Sequence, residues 1–89
     1  MQTKVLNYQI IVEPDVETGT GRSGFYAYSP TLGVADDGDT VEEAIINVTG
    51  AIKLYVESLV EDGEPVPVDS DQNIITTTQV NISGNFSVI

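Results

Sequence analysis

The segment from Thr40 to Pro65 constrains this chain most. Thr40-Val41-Glu42-Glu43 has the form of a capping box. Its threonine hydroxyl accepts from the Glu43 amide, and the Glu43 carboxylate reaches back to the Thr40 amide. Asp39, Glu42 and Glu43 add negative charge at the positive end of the helix dipole. Val41, Ala44, Ile45, Val48, Ile52, Tyr55 and Leu59 then recur at helical spacing and predict one buried stripe. Gly63 suits the left-handed residue that follows a helix, and Pro65 cannot continue one. About twenty residues at 1.5 Å each make a rod of roughly 30 Å, enough to span a small sheet. No other segment shows this period, so the fold must combine one helix with strands.

Strand patterns flank it. Leu6, Tyr8, Ile10 and Val12 alternate with polar positions and predict a strand over Lys4–Val12, ended by Pro14. The polar stretch Asp15–Ser23 suits a hairpin loop. Gly24–Ser29 reads as a second strand closed by Pro30, with Phe25 and Ala27 on one face and Tyr26 and Tyr28 on the other. Neither face suits bare water, which predicts a helix over one and a partner or second protomer over the other. A short third strand around Leu32–Ala35 leads into an acidic turn, Asp36-Asp37-Gly38-Asp39.

Beyond the helix, Val66-Pro67-Val68 is extended and Asp69–Asn73 is a polar turn. The β-branched run Ile74–Ile82 predicts a strand; after the turn Ser83-Gly84-Asn85, Phe86–Ile89 forms a short strand or docked tail. The order predicts an α+β two-layer β-β-β-α-β sandwich, with one long helix on an antiparallel sheet plus C-terminal strands. We expect one domain over residues 1–89, with its core at about 4–68 and an extended segment at 69–89.

Composition narrows function. Fourteen Asp and Glu face three basic residues, Lys4, Arg22 and Lys53, for a net charge of −11. That balance opposes direct nucleic-acid binding, which depends on Lys and Arg neutralising phosphates. The chain has no histidine and no cysteine, which removes the usual acid–base group, thiolate chemistry and structural zinc. Gly19-x-Gly21-x-x-Gly24 matches a dinucleotide-binding pattern by letter, but a strand follows it where that mechanism needs a helix N-terminus.

The cluster Asp36, Asp37, Asp39, Glu42 and Glu43 lacks a carboxylate from a central strand, which a two-metal nuclease centre requires. An EF-hand alignment on Gly38 puts Ala44 at the bidentate glutamate position. Ser23, Ser29 and Ser58 have no histidine to activate them. We therefore expect no enzyme activity, no cofactor and no metal. The N-terminal residues lack the apolar run of a signal peptide, and no stretch reaches the ~20 apolar residues of a membrane span, so a cytoplasmic location is expected.

Three stretches in series resemble the HicB family of type II toxin–antitoxin systems: Tyr26-Ala27-Tyr28-Ser29-Pro30-Thr31-Leu32-Gly33-Val34, Gly38-Asp39-Thr40-Val41-Glu42-Glu43-Ala44, and Glu61-Asp62-Gly63-Glu64-Pro65-Val66-Pro67. The likeness covers about Val5 to Val68. It implies a partial RNase H-like fold and a role in neutralising HicA, a small basic ribonuclease toxin with a catalytic histidine. Two-domain antitoxins of that family continue into a DNA-binding domain. Gln79-Val80-Asn81-Ile82 resembles the strand of a ribbon-helix-helix, but no such helices follow it, so autoregulation on DNA is not carried over.

The expected function is thus a single-domain HicB-like antitoxin. Tyr26, Tyr28, Ile46 and Leu54 are the candidate anchors, and Asp36, Asp37, Asp39 and Glu43 the electrostatic rim. Ile46 and Leu54 enter because they flank Gly50 on the helix side away from the stripe. The alternatives are an orphan HicB-like scaffold or regulatory domain without a toxin, and a residual nuclease. A homodimer through Ile74–Ile82 is also expected, because exposed strand edges pair readily.

Overall fold

The computed structural model describes residues 3–16, 21, 23–70, 72 and 74–89. Three strands, β1 (Ile11–Val16), β2 (Ser23–Tyr28) and β3 (Ala35–Gly38), precede one helix, α1 (Val41–Glu61). The strands form an antiparallel sheet in the order β1-β2-β3. The helix covers one face and packs mainly against β3 and β2. This is the expected α+β arrangement. Part of the expected glycine-rich loop between the first two strands lies outside the described residues.

The ends of α1 follow the capping logic closely. The Thr40 hydroxyl accepts from the Glu43 amide at 3.1 Å. The Glu43 carboxylate takes the Asp39 amide at 3.3 Å, one residue earlier than the expected Thr40 amide. At the other end Gly63, at φ +70°, follows the cap residue Asp62. The Gly63 amide donates to the Val60 carbonyl and the Glu64 amide to the Leu59 carbonyl, the paired bonds of a Schellman motif.

Helix and sheet meet through small residues. Ala27, Ala44 and Val48 are fully buried, with Ile10, Val12, Phe25 and Ile52 packed around them. A Cβ on Gly38 would lie 2.5 Å from the Ala44 nitrogen, and one on Gly24 would lie 2.9 Å from the Gly38 carbonyl oxygen. The Asn47 side chain donates to the Asp37 carbonyl at 2.8 Å and fastens the first helical turns to β3.

The buried stripe is narrower than the spacing predicts, since Val41, Ile45 and Tyr55 remain exposed. A six-residue strand extends about 20 Å, whereas a helix of 21 residues extends about 31 Å, so its later turns, with Tyr55, overhang the sheet.

Two strand boundaries also shift. The first ladder runs over Ile11–Val16, so of the expected strand Lys4–Val12 only Ile11 and Val12 belong to it and residues 4–10 form no strand; it passes through Pro14, which pairs with Phe25. Proline is tolerated there because β1 is an edge strand. The third strand begins only at Ala35, because Ser29–Val34 forms a closed turn. In that turn the Ser29 amide donates to the Val34 carbonyl, the Gly33 amide to the Ser29 carbonyl, and the Leu32 amide to the buried Ser29 hydroxyl. The expected acidic turn is therefore mostly strand: Asp36, Asp37 and Gly38 belong to β3, and only Asp39 leads into the cap.

After the helix the chain returns along the sheet. Asp69 accepts from the Gln9 amide at 2.6 Å and from the Thr31 hydroxyl, and the Tyr8 hydroxyl donates to the Pro67 carbonyl at 2.6 Å. The Thr31 hydrogen bond, then the Gln9 amide, lowers the Asp69 pKa below its ordinary 3.8. Residues 74–89 are extended and exposed; neither Ile74–Ile82 nor Phe86–Ile89 forms a strand within the chain, and Phe86–Ile89 does not dock. The radius of gyration is accordingly 17.6 Å, against ~12 Å for a compact chain of this length.

Two glycine substitutions should act in opposite directions in thermal melts. Gly38→Ala should destabilise by about 1–3 kcal/mol, because backbone must move to admit the methyl. Gly50→Ala, in open space on the helix, should stabilise by up to about 1 kcal/mol. Asp69→Ala should accelerate hydrogen exchange at the Gln9 amide with little change in melting temperature. In the native chain the lowered pKa makes this contact fully favourable above pH 3.8, and it is lost as pH falls through the lower folded value.

Candidate protein-binding face

The sheet face opposite α1 carries a connected group of polar side chains. Antiparallel pairing sets Glu13 across from Tyr26 and Tyr26 across from Asp37, so all three share the side away from the core. Tyr28 lies two residues along β2 on that same side. The two rings stack with centroids 5.9 Å apart and planes 20° apart. Both hydroxyls turn to Glu13: Tyr26 donates closely to one carboxylate oxygen, and Tyr28 makes a long 3.4 Å contact to the other.

Ionising Tyr26 would place two negative charges side by side. Its hydroxyl pKa is accordingly pushed up to about 12, first by the hydrogen bond to Glu13, then by desolvation and by the nearby charges of Glu13, Tyr28 and Asp15. This favours the neutral phenol in the fold. The stabilisation is complete below pH 10, the ordinary value, and is lost as pH rises towards 12.

Carboxylates continue around the end of the sheet. Asp15, Asp37, Asp39 and Glu43 line a hollow of about 380 Å³ with Ser23, Gly24, Phe25 and Gly38. A shallower depression beside it is bounded by Asp15, Tyr26, Ala35, Asp36 and Asp37. Gly24 and Gly38 let β2, β3 and the start of α1 approach closely, which gathers these acids at one corner. Among the described residues no group of three or more acidic side chains is disposed to hold a metal ion. The geometry offers a cationic side chain several acceptors beside two aromatic rings.

Five of the eight expected site residues, Tyr26, Tyr28, Asp37, Asp39 and Glu43, form one surface around the outer face and end of the sheet, whereas Asp36 pairs across from the buried Ala27, on the helix side of β3, and only borders the shallow depression. Ile46 and Leu54 do not join it. They stand 70% and 71% exposed on the helix, the layer that covers the opposite face of the sheet. Glu13 and Asp15 belong to the surface but were hidden by ending the first strand at Pro14. The signal for them was the alternation Ile10, Val12, Pro14, Val16, which runs on through the proline and assigns Glu13 and Asp15 to the tyrosine side.

Known proteins similar to the chain include a UPF0150 protein of Synechocystis, 42% identical over 65 residues, covering 72% of this chain and 76% of the relative. A UPF0150 protein of Thermoplasma acidophilum is 34% identical over 71 residues, covering 78% of this chain and 94% of the relative. No family model matches, and no solved structure matches significantly. No helix among the described residues is long and apolar enough to cross a membrane.

Glu13→Gln should bring the Tyr26 pKa from about 12 back towards 10. Titration of the Tyr26 Cζ resonance by NMR measures it, and an unchanged value would show that Glu13 does not hold the hydroxyl.

Proposed function

The chain belongs to the UPF0150 family, and from that premise we propose that it is a HicB-like antitoxin, a non-enzymatic module that neutralises a small basic mRNA-cleaving toxin by protein contact. The observation that carries this reading is the continuous surface of stacked Tyr26 and Tyr28, Glu13, and the carboxylates Asp15, Asp37, Asp39 and Glu43. The sequence resemblance to HicB antitoxins supports it, since Tyr26-Ala27-Tyr28 and Gly38-Asp39-Thr40-Val41-Glu42-Glu43 supply both parts of that surface.

Each part has a distinct physical task. A net charge of −11 accelerates encounter with a basic protein, by roughly 10–1,000-fold for strong steering. Residence then depends on a few desolvated anchors, and tyrosines are favoured in that role. An arginine or lysine set over the Tyr26 and Tyr28 rings gains cation–π attraction and reaches the flanking carboxylates with its donors. In this reading the antitoxin covers the toxin's catalytic histidine and excludes RNA from it by occupying its basic surface. The toxin acts on mRNA, so the pair works in the cytoplasm.

The test is co-expression with the product of the adjoining gene, which this reading expects to be a small basic protein. The neighbour should arrest growth alone, should be tolerated in the presence of this chain, and should co-purify with it. Tyr26→Ala or Asp37→Lys should weaken the complex at least about tenfold, as expected for loss of an anchor or reversal of a central charge. Leu54→Ala should leave it unchanged. Raising salt should weaken binding through the association rate. A harmless or non-binding neighbour would remove the antitoxin role and favour an orphan scaffold.

A further inference from the structure

The outer edge of β3 is closed by the chain's own side chains. In an antiparallel ladder alternate residues turn both backbone groups away from the neighbouring strand. On the edge strand β3 these outward groups belong to Asp37, whose amide donates to the Asp36 carboxylate at 2.8 Å and whose carbonyl accepts from the Asn47 side chain at 2.8 Å. One step further, at the strand exit, the Asp39 amide donates to the Glu43 carboxylate at 3.3 Å. Asp36, Asn47 and Glu43 thus hold groups that an added strand would need. The remaining outward residue, Ala35, stands exposed at the start of β3.

An open sheet edge is a template for any extended segment with unsatisfied amides. This chain carries such a segment. Residues 72–89 contain no Asp, Glu, Lys or Arg, and Ile74–Ile82 is β-branched, extended and exposed. Like-charge repulsion does not act on an uncharged strand, so the carboxylates of β3 cannot exclude it by sign alone. Occupied hydrogen bonds can, because an incoming strand must first break them and leave each displaced side chain without its partner. The opposite edge is closed by other means, since Pro14 removes an amide from β1.

We propose that Asp36 and Asn47 form an autoinhibitory clasp on the β3 edge, which keeps the strand-forming segment 74–82, from the same chain or from another copy, from adding to the sheet. The two halves of the clasp differ in origin. Asp36 closes the Asp37 donor from the neighbouring residue, within the strand itself. Asn47 closes the acceptor from α1, so that half holds only while the helix is docked on β3. Both closures are intramolecular and form without the translational cost that an incoming strand pays. Asp36 lies on the helix side of β3 and Asn47 on the helix, apart from the tyrosine face, so the clasp does not rest on toxin binding.

A synthetic peptide of residues 74–82, added to the isotope-labelled full chain, reads the edge through the amide resonances of Ala35, Asp37 and Asp39. Asp36→Ala, which leaves the Asn47 contact in place, should admit the peptide at this edge at least about tenfold more tightly than the native chain does. The double variant Asp36→Ala/Asn47→Ala should bind it more tightly again, with unchanged helical circular dichroism. Asp36→Asn keeps an oxygen acceptor but removes the charge, and should stay as closed as the native chain. Without peptide, hydrogen exchange of the Asp37 amide should quicken in Asp36→Ala and not in Asp36→Asn. Peptide binding unchanged in both alanine variants, shifts confined to residues 74–82, or an edge opened as far by Asp36→Asn as by Asp36→Ala would overturn the proposal.

Discussion

The helix rests on the sheet through the smallest side chains available, and the remaining geometry depends on that contact. Ala27 and Ala44 meet in the core, and Gly38 passes beneath the Ala44 backbone with no room for a methyl group. The contact fixes the start of α1 against the end of β3, reinforced by the Asn47 hydrogen bond to Asp37. It thereby also sets Asp37, Asp39 and Glu43 around one hollow. Packing and site share their cause, since residues that clear the interface of bulk also bring the acids together.

The same economy leaves a small core. Fully buried hydrophobics among the described residues are Ala27, Ala44 and Val48, while the helix overhangs the sheet and residues 74–89 lie beyond it. Small hydrophobics contribute little transfer free energy each, so hydrogen-bonded closures matter proportionately more. The Thr40 cap, the Schellman bonds at Gly63, the Ser29 turn and the Asp69 contacts fasten successive parts of the chain.

The helix was legible in the sequence almost to the residue, because its caps are local chemistry that tertiary context did not override. The faces of β2 were equally legible, since Phe25 and Ala27 alternate with Tyr26 and Tyr28 whatever lies around them. The ladder boundaries were not. Pro14 ends a strand only where its missing N–H is needed, and whether β1 lies at an edge is a property of the assembled sheet. Leu32–Val34 resembled a strand, but the Ser29 hydroxyl and carbonyl take the Leu32 and Gly33 amides. For the site, five acidic and aromatic residues were found together; the separation of Asp36, Ile46 and Leu54 required knowing the strand register and which layer each element occupies.

The bond from Tyr26 to Glu13 has a consequence for recognition. With that hydroxyl committed and the Tyr28 hydroxyl turned to the same carboxylate, the outer sheet face offers, among the described residues, carboxylate lone pairs and ring π-clouds but almost no free side-chain proton. Such a surface is a sink for donors. A partner bearing carbonyls, phosphates or carboxylates meets only its own kind there and must abandon hydration without replacement. Guanidinium and ammonium groups, or the unpaired amides of a strand edge, arrive with the protons this face lacks.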